Sequence, residues 1–159
     1  YTEAELLDVL KESMLTNQVR DYLLAELDGD VPQVRARHIL LATESEAQAI
    51  LDALNGGADF AELAAQHSLD MTSRNNGGDL SWFTTHELMD PALAEVAFSL
   101  QPGETSGPVA TRIGYHIIQT TDTAERPIEP ERLPLLMESL YTNWLQEQRA
   151  AADIERFLQ

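Results

Sequence analysis

The chain has 159 residues, 43% of them hydrophobic and 23% charged, enough apolar side chain to build a core and to place it outside the disordered class. Ten Lys and Arg against 27 Asp and Glu give a net charge of −17, and a surface of that sign disfavours nucleic acid and anionic membrane as partners. The absence of cysteine excludes disulfides, thiol nucleophiles, thiolate zinc sites and iron–sulfur clusters, and no apolar run reaches the ~18 residues of a spanning helix.

Tyr1 in place of an initiating Met is read as the start of a processed or truncated chain, so the lack of a leader carries no weight. Residues 1–31 read as helical. Leu7, Leu10 and Met14 keep a three-to-four spacing, and Val19, Tyr22, Leu23 and Leu27 resume it after a phase shift. Thr16-Asn17 is either a cap between two helices or a drift in register. Asp28-Gly29-Asp30 and Pro32 stop the helix and open a linker. Val34–Leu41 alternates into an apolar end and predicts a strand.

Thr43 with Glu46 forms a capping box. The helix it opens carries Ala47, Ile50, Leu51 and Leu54 and stops at Asn55-Gly56-Gly57. Asp59 with Glu62 repeats the box, for a helix that presents Phe60, Leu63 and Ala64 and ends near His67. Residues 69–79 are polar and predict a loop, and Leu80–Phe83 a short strand. Asp90-Pro91 supplies an N-cap and a proline at the first helical position. A turn at Gln101-Pro102-Gly103 leads to a hairpin, Val109–Thr111 with Tyr115–Thr120, around Gly114. Beyond a Pro-rich linker at 126–130, Leu133, Leu136, Met137, Leu140, Tyr141, Trp144 and Leu145 make one wide apolar stripe. It is expected to pack on the N-terminal helical segment, which has the same need.

The chemistry narrows to histidines. His67 suits a helix C-terminus and His86 a surface. His38 and His116 lie in the first and last strands of the middle segment, where a buried ring needs polar partners. The two meet if their strands pair centrally. Taken alone, each is better explained as a satisfied core histidine. No HExxH, P-loop, GxSxG or GxGxxG occurs. Residues 70–79 share only acidity with a calcium loop, and a metal on His38 and His116 lacks further ligands, so no metal site is expected.

The middle segment resembles a known family. Arg37-His38-Ile39-Leu40, then Gly57-Ala58-Asp59-Phe60-Ala61-Glu62-Leu63-Ala64, His67-Ser68-Leu69-Asp70 and Gly77-Gly78-Asp79-Leu80-Ser81-Trp82-Phe83 are similar to the parvulin (rotamase) peptidyl-prolyl cis/trans isomerases. Ala97-Phe98-Ser99-Leu100, Pro102-Gly103-Glu104, Gly107-Pro108-Val109 and Thr111-Arg112-Ile113-Gly114-Tyr115-His116-Ile117-Ile118 continue the series in order. The resemblance covers residues 34–121. Helical flanks of this kind resemble those of extracytoplasmic bacterial foldases.

The resemblance implies an α+β fold: a four-stranded, antiparallel-rich sheet surrounded by helices, plus a helical module. The expected division is 1–32, 33–122 and 123–159, with the outer segments packed together. It implies isomerisation of X–Pro bonds in unfolded or partly folded polypeptides outside the cytoplasm, without cofactor or covalent intermediate. Carried over by position, His38 and His116 are the paired histidines, Thr111 bonds into the pair, and Asp70 tunes it. Leu80, Phe83, Met89, Leu93 and Phe98 are the expected substrate pocket, with Leu88 and Ala92 as alternative registers. Three departures stand out: Leu93 where relatives have an aromatic, Ser81 for a usual Gly, and Ile113 where some have Ser. The acidic loop Ala42-Thr43-Glu44-Ser45-Glu46 implies no phosphopeptide preference. A homodimer through the helical flanks, and a non-catalytic chaperone on the same fold, are the remaining alternatives.

Overall fold

The computed structural model describes residues 3–25, 27, 29–88 and 90–151, with residues 3–12 described by backbone alone. In order along the sequence the elements are α1 (Glu3–Ala25), β1 (Asp30–Leu41), α2 (Glu44–Asn55), α3 (Phe60–His67), a 3-10 turn (Arg74–Asn76), β2 (Asp79–Phe83), α4 (Pro91–Ser99), β3 (Val109–Thr111), β4 (Gly114–Pro127) and α5 (Leu133–Ala151). The protein divides into two compact units, Pro32–Arg126 and the pair Tyr1–Val31 with Pro127–Gln159.

The unit Pro32–Arg126 is built on a sheet of order β2-β1-β4-β3, with β1/β2 and β3/β4 antiparallel. The period of two in each strand divides the apolar side chains between the sheet's faces. On one face Ile39, Leu41 and Ile117 pack with Ala47, Ile50, Phe60 and Ala64 of α2 and α3. On the other, Val34, Ala36 and Ile118 pack with Phe83, Leu93 and Ala97, bringing in α4. The helices start where the sequence predicts. Thr43 and Glu46 close a reciprocal capping box, and Asp90 caps Ala92 with proline at the helix start. Asp59 accepts from the Glu62 amide at 2.9 Å, but the predicted reciprocal bond is not made, so this is an N-cap and not a box.

Two expected linkers are strand. β1 begins at Asp30 and includes Pro32, and β4 runs on to Pro127. Proline is tolerated at the ends of strands, where no ladder N–H is required of it. The β1/β2 register moves from Arg35↔Trp82 to Arg37↔Asp79, which leaves one extra residue on β2. Ser81 lies within this bulge at φ 60°, in the left-handed region. That is why a glycine suits this place, and why Ser81 costs about 1 kcal/mol of backbone strain.

In the other unit, α1 runs unbroken through Thr16-Asn17, so the phase shift there is drift, not a cap. Its buried face is carried by Leu23, with Val19 half-buried; Leu27, also half-buried, lies in the turn beyond the helix. Met14 and Tyr22 are exposed, contrary to the predicted face, because nine residues of helix set Met14 opposite Leu23. Leu7 and Leu10 lie outside the described side chains. α1 packs on α5, whose Leu136 is fully buried. The Arg20 guanidinium lies 5.7 Å from the Tyr141 ring centroid and 3.8 Å from the Glu138 carboxylate.

Candidate active site

The face of the sheet that carries Ala36 and Ile118 also carries His38 and His116, because each is two residues along its strand from one of them. Both rings are buried. Their Nδ1 atoms are 3.1 Å apart, with the rings inclined at 23°. His38 Nε2 is 2.8 Å from Asp70 Oδ2 and 3.1 Å from Ser73 Oγ. His116 Nε2 is 3.1 Å from Thr111 Oγ1, and that hydroxyl is also 3.1 Å from the Gly114 carbonyl. The structure thus brings the four predicted residues into one hydrogen-bonded series, Asp70–His38–His116–Thr111.

Close backbone packing holds the series in place. Gly78 is at φ 79°, and a Cβ there would stand 2.1 Å from the His38 carbonyl oxygen. Only glycine permits this approach, which lets His38 N–H donate to the Gly78 carbonyl at 2.9 Å. Gly114 does the same for the other strand, where a Cβ would stand 2.3 Å from Leu41 O. Ser68 fastens the intervening loop, its Oγ accepting from Leu40 N–H at 3.1 Å and Asp70 N–H at 3.3 Å.

The protonation of the series follows from its donors. Burial alone raises the Asp70 pKa. Donation from the Ser73 hydroxyl, the Thr72 hydroxyl, His38 and the Thr72 amide outweighs it and holds the carboxyl well below the usual range. An ionised carboxylate only accepts, so the proton on this contact belongs to His38 Nε2. Burial, reinforced by the nearby His38, pushes the His116 pKa down to about 4, against the pull of Asp90 and Asp70, so His116 is neutral at pH 7. Two proton arrangements connect the series from Asp70 to Thr111. In one, Thr111 O–H donates to His116 Nε2 and His116 Nδ1–H donates to His38, leaving both rings neutral. In the other, His38 Nδ1–H donates to His116, His116 Nε2–H donates to Thr111, and the Thr111 hydroxyl turns to Gly114. The second arrangement holds one more proton, on His38.

The predicted pocket residues divide. Phe83 and Leu93 are buried at 3% and 8% exposure, within the α4-side core. Leu80 and Phe98 are half-buried at its edge, with Phe98 edge-on to Phe83 at 6.2 Å. Met89 lies outside the described residues. Leu88, an alternative register, packs on the same cluster. Sequence reasoning missed Ser73, Thr72 and Ser68, which position Asp70. The signal was present: hydroxyl residues two and three places after an aspartate favour turns closed onto its carboxylate. Among the described residues, no three His, Asp or Glu side chains converge to hold a metal, and the four histidine ring nitrogens of the pair are occupied by hydrogen bonds.

Comparison with known proteins gives the family and the fold. The rotamase family, described as the PPIC-type PPIase domain, matches residues 35–122. Foldase protein PrsA of Caldanaerobacter subterraneus is 47% identical, with 76% of this chain and 45% of the relative aligned. The protein therefore spans less than half the length of that relative. The crystal structure of peptidylprolyl isomerase PrsA from Bacillus anthracis gives a TM-score of 0.64 at 28% identity, covering 98% of this chain and 78% of that one. A structure described for Campylobacter jejuni PEB4 and periplasmic Cj1289, two SurA-like chaperones, gives 0.57 at 28% identity, over 96% and 74%.

Proposed function

The chain belongs to the PPIC-type peptidyl-prolyl isomerase (parvulin) family, with its α+β fold, and from that premise we propose that it catalyses cis/trans isomerisation of X–Pro bonds in unfolded polypeptides. The observation that carries the reading is the hydrogen-bonded series from Asp70 to Thr111 through two buried histidine rings, on the same sheet face as the apolar edge formed by Leu80 and Phe98. Rotation about the amide has a barrier of about 18–20 kcal/mol because it breaks resonance. No bond is cleaved, so no cofactor or nucleophile is needed. The twisted amide loses conjugation, its nitrogen becomes more basic and its carbonyl polarity changes. Fixed dipoles beside a dry apolar surface meet that change without reorganising, and each ~1.4 kcal/mol of selective stabilisation gives tenfold in rate. In this scheme Leu80 and Phe98 hold the proline ring over a floor of Phe83 and Leu93, and the histidine pair faces the amide.

An unphosphorylated substrate is favoured. In the loop after β1, Glu46 accepts from the Ala42 and Thr43 amides at 3.1 and 3.0 Å, so the N–H groups nearest an incoming anion are already engaged by a carboxylate. We further infer an extracytoplasmic setting, supported by likeness to the foldase PrsA and to a protein named as periplasmic. Self-association through the helical unit is supported by exposed Met14, Leu15 and Leu135. A monomer at all concentrations in sedimentation velocity would remove that part.

The test is refolding of a protein whose slow phase is limited by a proline. The slow phase is expected to accelerate in proportion to the concentration of this protein. A better refolding yield at an unchanged slow rate would overturn catalysis in favour of a non-catalytic chaperone.

A further inference from the structure

The sheet face opposite the histidine pair holds a second polar site. On β1 the side chains of Arg35 and Arg37 alternate away from Ala36 and His38, toward α3. A cavity of about 450 Å³ opens there, lined by Arg35, Arg37, Asn75, Asn76, Asp79 and Thr121 among others. The whole protein carries −17, yet the charged side chains of this cavity are two arginines and one aspartate, a local positive surplus.

The two arginines are held differently. Arg35 Nη2 donates to Asp79 Oδ2 at 2.8 Å, and the two charges satisfy one another. Arg37 makes no salt bridge among the described residues; the Asp79 carboxyl, held below its ordinary range first by its bond to Arg35, feels the Arg37 charge only at longer range. Arg37 Nε donates to Gln119 Oε1 at 2.8 Å, and its guanidinium lies over the Phe60 ring at 4.5 Å. These contacts fix the plane of the group while leaving both Nη groups without an acceptor among the described residues. A guanidinium with Nε and one face already committed has lost much of its rotamer freedom, so little more is lost on binding. Asn75 and Asn76 add side-chain amides that make no hydrogen bond among the described residues.

We propose that this cavity binds a carboxylate of a polypeptide, through the open Nη groups of Arg37 with Asn75 and Asn76 beside them. A planar guanidinium accepts a carboxylate by two parallel N–H···O bonds, which a surface cation on a flexible stem does not provide. The volume admits a side chain and its flanking backbone, larger than a bare anion needs. An acidic side chain and the C-terminus of a polypeptide present the same group. That the carrier is a polypeptide rests on the isomerase reading; the carboxylate site itself does not. The site is an anchor outside the reacting amide, so Arg37 is a binding residue and not a catalytic one.

The test is a nitrogen–proton NMR titration of the whole protein with three proline-free peptides: acetyl-Gly-Glu-Gly-amide, its Gln counterpart, and acetyl-Gly-Gly-Gly with a free C-terminus. The amides of Asn75, Asn76 and Gly77 and the Arg37 Nε–H signal are expected to shift saturably with at least one carboxylate peptide. The tighter of the two identifies the source. The Gln peptide should bind at least tenfold more weakly. Arg37→Lys keeps the charge and the stem over Phe60 but loses the fork, and should weaken binding about tenfold, while Arg37→Gln abolishes it. Equal binding of the Gln peptide, retained affinity in Arg37→Gln with its fold intact, or inorganic phosphate binding tighter than either carboxylate peptide would each overturn the proposal. No prolyl substrate is used, so failure here leaves the isomerase reading standing, and loss of isomerase activity leaves this site standing.

Discussion

Lowering the pH from 7 to 5 should reduce the stability of the sheet unit by about 2 kcal/mol through His116 alone. The ring's pKa falls from 6.5 to about 4 on folding, because burial opposes its charged form and His38 stands beside it. A depressed histidine pKa means that the unfolded state takes up the proton first. The stabilisation is therefore complete above 6.5, drains as pH falls through this window, and is fully lost below 4. At ~1.4 kcal/mol per tenfold ratio the whole loss is about 3 kcal/mol, of which about 2 falls between pH 7 and pH 5. Asp70 acts in a different window. Its depressed pKa supplies stability above its ordinary 3.8 that is lost only at more acid pH, so the two groups separate on the pH axis. Urea unfolding followed by Trp82 fluorescence, in a Trp144→Phe background, measures the effect. The control is His116→Asn, which does not titrate. Subtracting the two proteins removes the contribution of the other titrating groups. The stability advantage of His116 over Asn should shrink by about 2 kcal/mol between pH 7 and pH 5. An advantage constant to within about 0.5 kcal/mol would refute the neutral, buried ring.

Three further outcomes are expected. Ser81→Gly relieves the left-handed serine of the β2 bulge and should raise stability by about 1 kcal/mol in urea melts, with activity unchanged. Gly78→Ala places a Cβ against the His38 carbonyl and should cost about 2–3 kcal/mol or more, with displaced His38 ring signals in NMR. Ser73→Ala removes a donor to Asp70 and a partner of His38, and should cost about 1–2 kcal/mol. Its kcat should fall more than its KM rises, with partial recovery in Ser73→Thr; an unchanged kcat would show that Ser73 serves the fold alone.

Much of the site was legible because it is local in sequence or two-periodic along a strand. His38 and His116 stand out as polar rings in apolar strands, and capping residues marked α2, α3 and α4 within a residue. The role of Ser81 was half visible: its departure from glycine could be seen, but the positive φ that makes it matter needs the β1/β2 register. What stayed hidden depends on three dimensions. Ser73 looks like any loop serine until the turn folds it onto Asp70. Met14 and Tyr22 match a helical period, yet a 23-residue helix with a phase shift can bury only one stripe, and theirs is the other one. Pro32 and Pro127 read as linkers because proline breaks strands in general, whereas strand ends accept it.

The most direct test of the central claim is exchange NMR on an unphosphorylated Ala-Pro peptide with the protein present at catalytic concentration. Cis and trans signals should exchange much faster than in peptide alone, a phosphorylated Ser-Pro counterpart should gain no advantage, and Asp70→Asn should slow the exchange. An exchange rate equal to that of the free peptide would contradict the account.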